Sequence, residues 1–223
     1  TKLIIINTPH NPLGWKLDRD ELTRIGEIAK RHDAYLLFDE HYRYLDLSPG
    51  TALLPSGYDL CKPIHDKTYA TGSMIKCFGI VGIRIGWLLG DADILNRCRD
   101  YKDYLSHTIP LVTDYLARIG LEQRDTIIGA KKSDILPNVA LLESFMEDQG
   151  EHFELVSPEG GVVCFPRLRS GDALRFCQTL IAEHGVSLLP GFAFGARDHV
   201  RMNFGVSRDK FARALERIGD ALR

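Results

Sequence analysis

The first forty residues constrain the fold more than any other stretch. KLIIIN is an apolar run with β-branched residues and reads as a buried strand that starts almost at residue 1. The turn NTPHNPLG follows, and then LDRDELTRIGEIAKRH, in which Asp18 and Glu21 make a capping box while Leu22, Ile25, Ile28 and Ala29 keep helical spacing. AYLLFD reads as a second buried strand. Strand, helix and strand in this order form a βαβ unit, which calls for a parallel sheet covered by helices. A buried strand at the very start also leads us to expect that part of the fold lies upstream or is supplied by another chain.

Beyond this unit, KTYATG and IGWLLG read as two more short strands, each ended by glycine. Residues 91–149 read as helical, including ADILNRCRDYKDYL and NVALLESFMEDQ, with breaks expected near Pro110, Gly129 and Pro137. FELVS and VVCFPRL flank the turn SPEGG and suggest an antiparallel pair. DALRFCQTLIAEHG is a helix closed by a glycine cap, followed by the strands VSLLP and HVRMNFGVS and the terminal helix RDKFARALERIGDAL. The expected organisation is a βαβ part over residues 1–107, connecting helices over 108–137 and a small α+β domain over 138–223.

Composition narrows the function classes. A chain of 223 residues that is 44% hydrophobic can bury a real core. Its formal net charge of -2, with no lysine or arginine run, gives no electrostatic footprint for nucleic acid or an anionic membrane. No run of apolar residues is long enough to span a bilayer, and no secretion signal is visible at the N-terminus, so a cytoplasmic setting is expected. The five cysteines are widely spaced without CxxC pairs, and the histidines show no HExxH, so neither a disulfide framework nor a metal site is signalled.

The chemistry gathers at strand ends. In open α/β sheets, ligands bind outside the carboxyl ends of the strands. Asn11 follows KLIIIN, Asp39 and Tyr42 follow AYLLF, and Ser73 and Lys76 follow KTYATG. Glycines at 72, 79, 82 and 86 let the backbone approach a ligand near Lys76 or turn sharply. Partial desolvation there would make a lysine a usable nucleophile toward a carbonyl compound. Arg84, eight residues on, supplies a fork suited to a phosphate. Taken singly, each residue also fits a plainer role. Asp39 and Glu40 suit a solvated turn, Lys76 can snorkel, Arg84 suits a surface, and Arg201 shares one side of a strand with His199 and Asn203.

In chain order, NTPHNPLG, FDEHY, SMIKCFGIVGIRIGW and then PGFAFG with VRMNFG resemble the class I/II family of pyridoxal-phosphate-dependent aminotransferases, fold type I. The resemblance covers essentially the whole chain. It implies an α/β fold: part of the mostly parallel sheet of a large cofactor domain with flanking helices, joined to a small C-terminal α+β domain, the N-terminal part of the family fold being absent. It also implies that the cofactor is pyridoxal 5'-phosphate.

Roles follow from the resemblance residue by residue. Lys76 would form the Schiff base with the cofactor aldehyde and shuttle a proton at the substrate α-carbon. Asp39 would pair with the pyridine nitrogen. Tyr42 and Asn11 would hydrogen-bond the ring hydroxyl, and Ser73 and Arg84 would hold the phosphate. Arg201, with Asn11 beside the same pocket, would clamp the substrate carboxylate. Transamination between an amino acid and a keto acid, in a homodimer, is the expected activity. A cyclase, oxidase or lyase of the same fold, acting on an arginine-derived amino acid, is the alternative, prompted by His41 and Arg43 beside the core motif. A truncated, non-catalytic relative is a third.

Overall fold

A computed structural model describes residues 1–48 and 53–223. The chain divides into two compact units, Thr1–Pro9 with Lys16–Lys131, and His10–Trp15 with Lys132–Arg223.

The first unit opens with strand β1 (Leu3–Asn7), helix α1 (Arg19–Arg31) and strand β2 (Tyr35–Asp39). The capping box forms as expected: the Asp18 carboxylate accepts from the Glu21 amide and the Glu21 carboxylate accepts from the Asp18 amide. A short helix α2 (Gly57–Cys61), strand β3 (Thr68–Ser73) and strand β4 (Gly86–Leu89) complete the sheet. Its order is β1-β2-β3-β4. The first three strands are parallel and β4 runs antiparallel to β3. Helices α3 (Ala92–Leu105) and α4 (Leu111–Glu122) follow.

Alternation along β2 decides where the core lies. Leu36 and Phe38 are fully buried and pack with Leu22, Ala29, Cys61 and Ala70, so α1 and α2 cover one face of the sheet. The other face bears Leu3, Ile5 and Tyr35, which are exposed. The expectation that KLIIIN is buried throughout is therefore corrected. β1 is an edge strand of this sheet, and Ile5 is 61% exposed while Ile4 and Ile6 pack inward against the core under α1 and α2.

The second expectation to be corrected concerns the helical stretch. The chain does break at Pro110, which precedes α4, but Gly129 and Pro137 both lie inside one helix, α5 (Arg124–Asp148). A proline removes one helical hydrogen bond, and tertiary packing compensates here. Ile135, Leu142 and Met146 are buried, and the fully buried Asn138 amide donates to the carbonyls of Phe204 and Val206, both at 2.8 Å.

In the second unit, β5 (Phe153–Glu154), β6 (Val163–Cys164) and β7 (Arg167–Leu168) precede helix α6 (Ala173–His184). Then come β8 (Leu189–Pro190), β9 (Val200–Asn203) and helix α7 (Arg208–Ala221). The expected pairing of FELVS with VVCFPRL holds for β5 with β7 alone. Val163 and Cys164 pair instead with β9, which also pairs antiparallel with β8. Gly185 caps α6 with φ +66°, the left-handed conformation glycine adopts without strain. The loop His10–Trp15 belongs to this unit. The Gly14 carbonyl accepts from the amides of Glu159 and Gly160, and a side chain at Gly14 would collide with Pro158.

Candidate functional site

In the first unit the three parallel strands end at one edge of the sheet, on Asn7, Asp39 and Ser73; Asn7 lies opposite Asp39 and Asp39 opposite Thr71, so β3 runs two residues further. The Asp39 carbonyl accepts from the Asn7 side-chain amide at 3.1 Å and from the Thr8 amide at 3.2 Å, which fixes the exit of β2. Glu40 then turns inward. It is 7% exposed, and its carboxylate accepts from the Ser56 hydroxyl and from the amides of Gly57 and Tyr58 at the start of α2. Burial pushes the Glu40 carboxyl above its ordinary range, even though Arg43 and these donors favour the charged form. A solvated turn is thus excluded at Glu40.

Asp39 is half-buried and faces the site. Its Oδ1 accepts from both the His41 amide, at 3.3 Å, and the His41 ring Nδ1. Burial raises the Asp39 carboxyl, but the His41 ring and amide, together with the Lys76 charge, outweigh it and hold the group below the usual carboxylate range. Tyr42 is buried, and the Lys76 ammonium lies 6.0 Å from the centre of its ring. The Cys77 thiol donates to the His41 carbonyl at 3.0 Å, tying the segment after β3 to the turn after β2.

Lys76 itself is exposed, which corrects the expected desolvation. Its neighbours Met74, Cys77 and Phe78 take the core positions, leaving residue 76 on the outer side. Ser73 is buried, its hydroxyl accepting from the Ile75 amide at 3.4 Å. Ser73 lies opposite Gly86 in the β3–β4 ladder, and Arg84, two residues before Gly86, is exposed with a left-handed backbone at φ +51°. A non-glycine residue held there stores about 1–3 kcal/mol of strain, a feature that collects at ligand-binding positions.

Asn11 and Arg201 meet in the second unit. The Arg201 guanidinium donates to Asn11 Oδ1 at 3.2 Å and lies 5.3 Å from the centre of the Phe194 ring. A cavity of about 550 Å³ is lined by α7 and residues 185–188, and none of the seven residues singled out in the sequence faces it. Side-chain chemistry, not volume, marks the site.

Residues 1–218 match the family model described as aminotransferase class I and II. The chain belongs to that family. Among its relatives, capreomycidine synthase of Streptomyces vinaceus is 27% identical over 225 residues, covering all of this chain and 56% of the relative. Aspartate aminotransferase of Geobacillus stearothermophilus is 28% identical over 226 residues, covering 98% and 56%. The crystal structure of a PLP-dependent aminotransferase from Streptococcus suis superposes with a TM-score of 0.90 at 31% identity, covering all of this chain and 57% of that one. The chain therefore spans about 56% of the length of these curated relatives of the family. One contact within the family frame was not foreseen, the bond from His41 to Asp39. The signal for it is the Asp-x-His spacing, which lets a histidine fold back on a carboxylate two residues earlier.

Proposed function

We propose that the chain carries the Lys76-centred site of a pyridoxal-phosphate-dependent aminotransferase acting on an amino acid and a keto acid. The observation that carries this reading is the convergence at adjacent strand ends of the Lys76 amine, the Tyr42 ring and the Asp39 carboxylate.

The donor set fits the group. Asp39, ionised across the neutral range, suits a protonated ring nitrogen. Ser73 at the end of β3 and Arg84 just before the facing strand β4 suit a phosphate, and Lys76 presents the amine that would hold the cofactor covalently. When bound, pyridoxal phosphate supplies an electron sink for negative charge at the amino acid's α-carbon. Lys76 would move the proton at that carbon, and Tyr42 and Asn11 would orient the ring through its hydroxyl. Arg201 would pair with the substrate carboxylate, with Phe194 walling one face of the guanidinium. The exposed Tyr104, Leu105, Leu111 and Val112 on α3 and α4 support a homodimer, and we take the setting as cytoplasmic.

Tracing a labelled amino group tests the reading. With ¹⁵N-labelled amino acid and a keto acid, the label is expected in a new amino acid. Label retained in a cyclised, oxidised or eliminated product would favour the second reading, a non-transaminating enzyme. The likeness to capreomycidine synthase, a relative named for the compound it makes, supports that reading.

Arg201→Ala is expected to weaken the amino acid substrate roughly a hundredfold, the size of a lost charge-assisted pairing, and to leave pyridoxal phosphate affinity unchanged. KM and cofactor-binding titrations measure the two separately. Equal loss of both would make Arg201 structural.

A further inference from the structure

His41 touches both Asp39 and the segment that carries Lys76. Its ring Nδ1 and its backbone amide both meet Asp39 Oδ1, and its carbonyl accepts from Cys77, the residue next to Lys76. A carboxylate only accepts hydrogen bonds, so the ring nitrogen facing it carries the hydrogen and the tautomer is fixed. Two donors on one oxygen also fix the carboxylate's rotation. We propose that His41 is the positioning residue for Asp39, holding Oδ1 from two sides so that Oδ2 is the oxygen presented to the ligand's ring nitrogen. The inference rests on the pyridoxal phosphate reading and adds to it a residue that acts through Asp39 rather than on the ligand.

The geometry separates this role from a packing role. The His41 ring is about one-third exposed and fills no core space, so its removal costs the fold little. Among the described residues, the charged or titratable side chains with the largest influence on Asp39 are His41 and Lys76. Removing the His41 ring takes away one of the two donors and the larger of these two influences, and the carboxylate is then free to rotate and to be solvated on both oxygens.

The test compares pyridoxal phosphate with its 1-deaza analogue, in which a carbon replaces the ring nitrogen, by absorbance titration of the full chain. The parent is expected to prefer pyridoxal phosphate. His41→Ala is expected to weaken pyridoxal phosphate about tenfold and the deaza analogue by about twofold at most, because only the first ligand uses Oδ2. His41→Asn keeps a side-chain N–H near the Nδ1 position and is expected to restore most of the preference. Adding His41→Ala to Asp39→Asn is expected to cost nothing further, since both act through one contact. Equal weakening of both ligands by His41→Ala, or an unchanged preference, overturns the proposal. A parent that binds neither ligand overturns the cofactor reading and this inference with it, an outcome distinct from a parent that binds while its variant behaves as before.

Discussion

Replacing Lys76 with alanine is expected to abolish the borohydride-stable attachment of pyridoxal phosphate to the peptide containing residue 76, with no change in the thermal unfolding midpoint. The two halves of the expectation have separate grounds. Attachment needs a primary amine, and Lys76 is the lysine that the strand ends bring beside Asp39 and Tyr42. Stability does not depend on it. The side chain is exposed, and its contact with the Tyr42 ring, at 6.0 Å, is of a kind that contributes about 0.5–1 kcal/mol at an exposed position. Losing that contact lies close to the scatter of ordinary surface substitutions, about 0.5 kcal/mol either way. Peptide mass mapping after reduction reads the first half and a melting curve reads the second. Label of undiminished yield on other lysines would show that attachment to the parent was nonspecific, and a large drop in midpoint would make Lys76 a structural residue.

What the sequence made legible follows from the range of each interaction. Asp18 and Glu21 bond within four residues, and Gly185 closes a helix on its own turn, so these signals needed no knowledge of the rest of the chain. The parallel β1–β2 pairing was legible because the connecting helix permits little else. Pro137 misled for the opposite reason. The tertiary contacts of α5 around Pro137 include Asn138 reaching residues 204 and 206, more than sixty positions away, and no local rule encodes that. The same limit hid the β6–β9 pairing, in which Val163 meets Asn203.

The site shows the same division. Residue types at strand ends were readable, because a parallel sheet puts its loops at one edge; Asp39 and Ser73 do end β2 and β3, and Lys76 comes three residues after β3. Their environments were not readable. Asp39 and Glu40 are consecutive carboxylates, yet one faces outward to His41 with a lowered pKa and the other caps α2 with a raised one. Adjacent residues of a strand end point to opposite sides, so a doublet of acids carries two different jobs. The exposure of Lys76 depends on Met74, Cys77 and Phe78 turning inward together, and glycine spacing alone does not reveal that.

The largest stability effect is expected at Phe38, the side chain on which the position of both acids depends. Phe38→Ala is expected to lower the stability of the first unit by about 3–5 kcal/mol, the range for emptying a fully buried aromatic position. The ring is completely buried in a strand paired on both sides, and it packs on Leu22, Ala29 and Cys61. It also lies directly under the start of α2, where a Cβ on Gly57 would come within 2.5 Å of Phe38 Cδ1. Neither partner can close a cavity there cheaply, because the Gly57 amide is held at 2.7 Å by the Glu40 carboxylate. The two tryptophans allow the effect to be read unit by unit: Trp87 lies in β4 of the first unit, and Trp15 stacks on His10 in the second. In a Trp15→Phe background, the urea midpoint followed through Trp87 fluorescence is expected to fall sharply in Phe38→Ala and by much less in Phe38→Leu, which leaves a smaller cavity. A loss below about 1 kcal/mol in the alanine variant would mean that α2 collapses onto the vacated space. Glu40 and, through the next peptide, Asp39 would then have moved with it, so affinity for pyridoxal phosphate would drop even where stability did not.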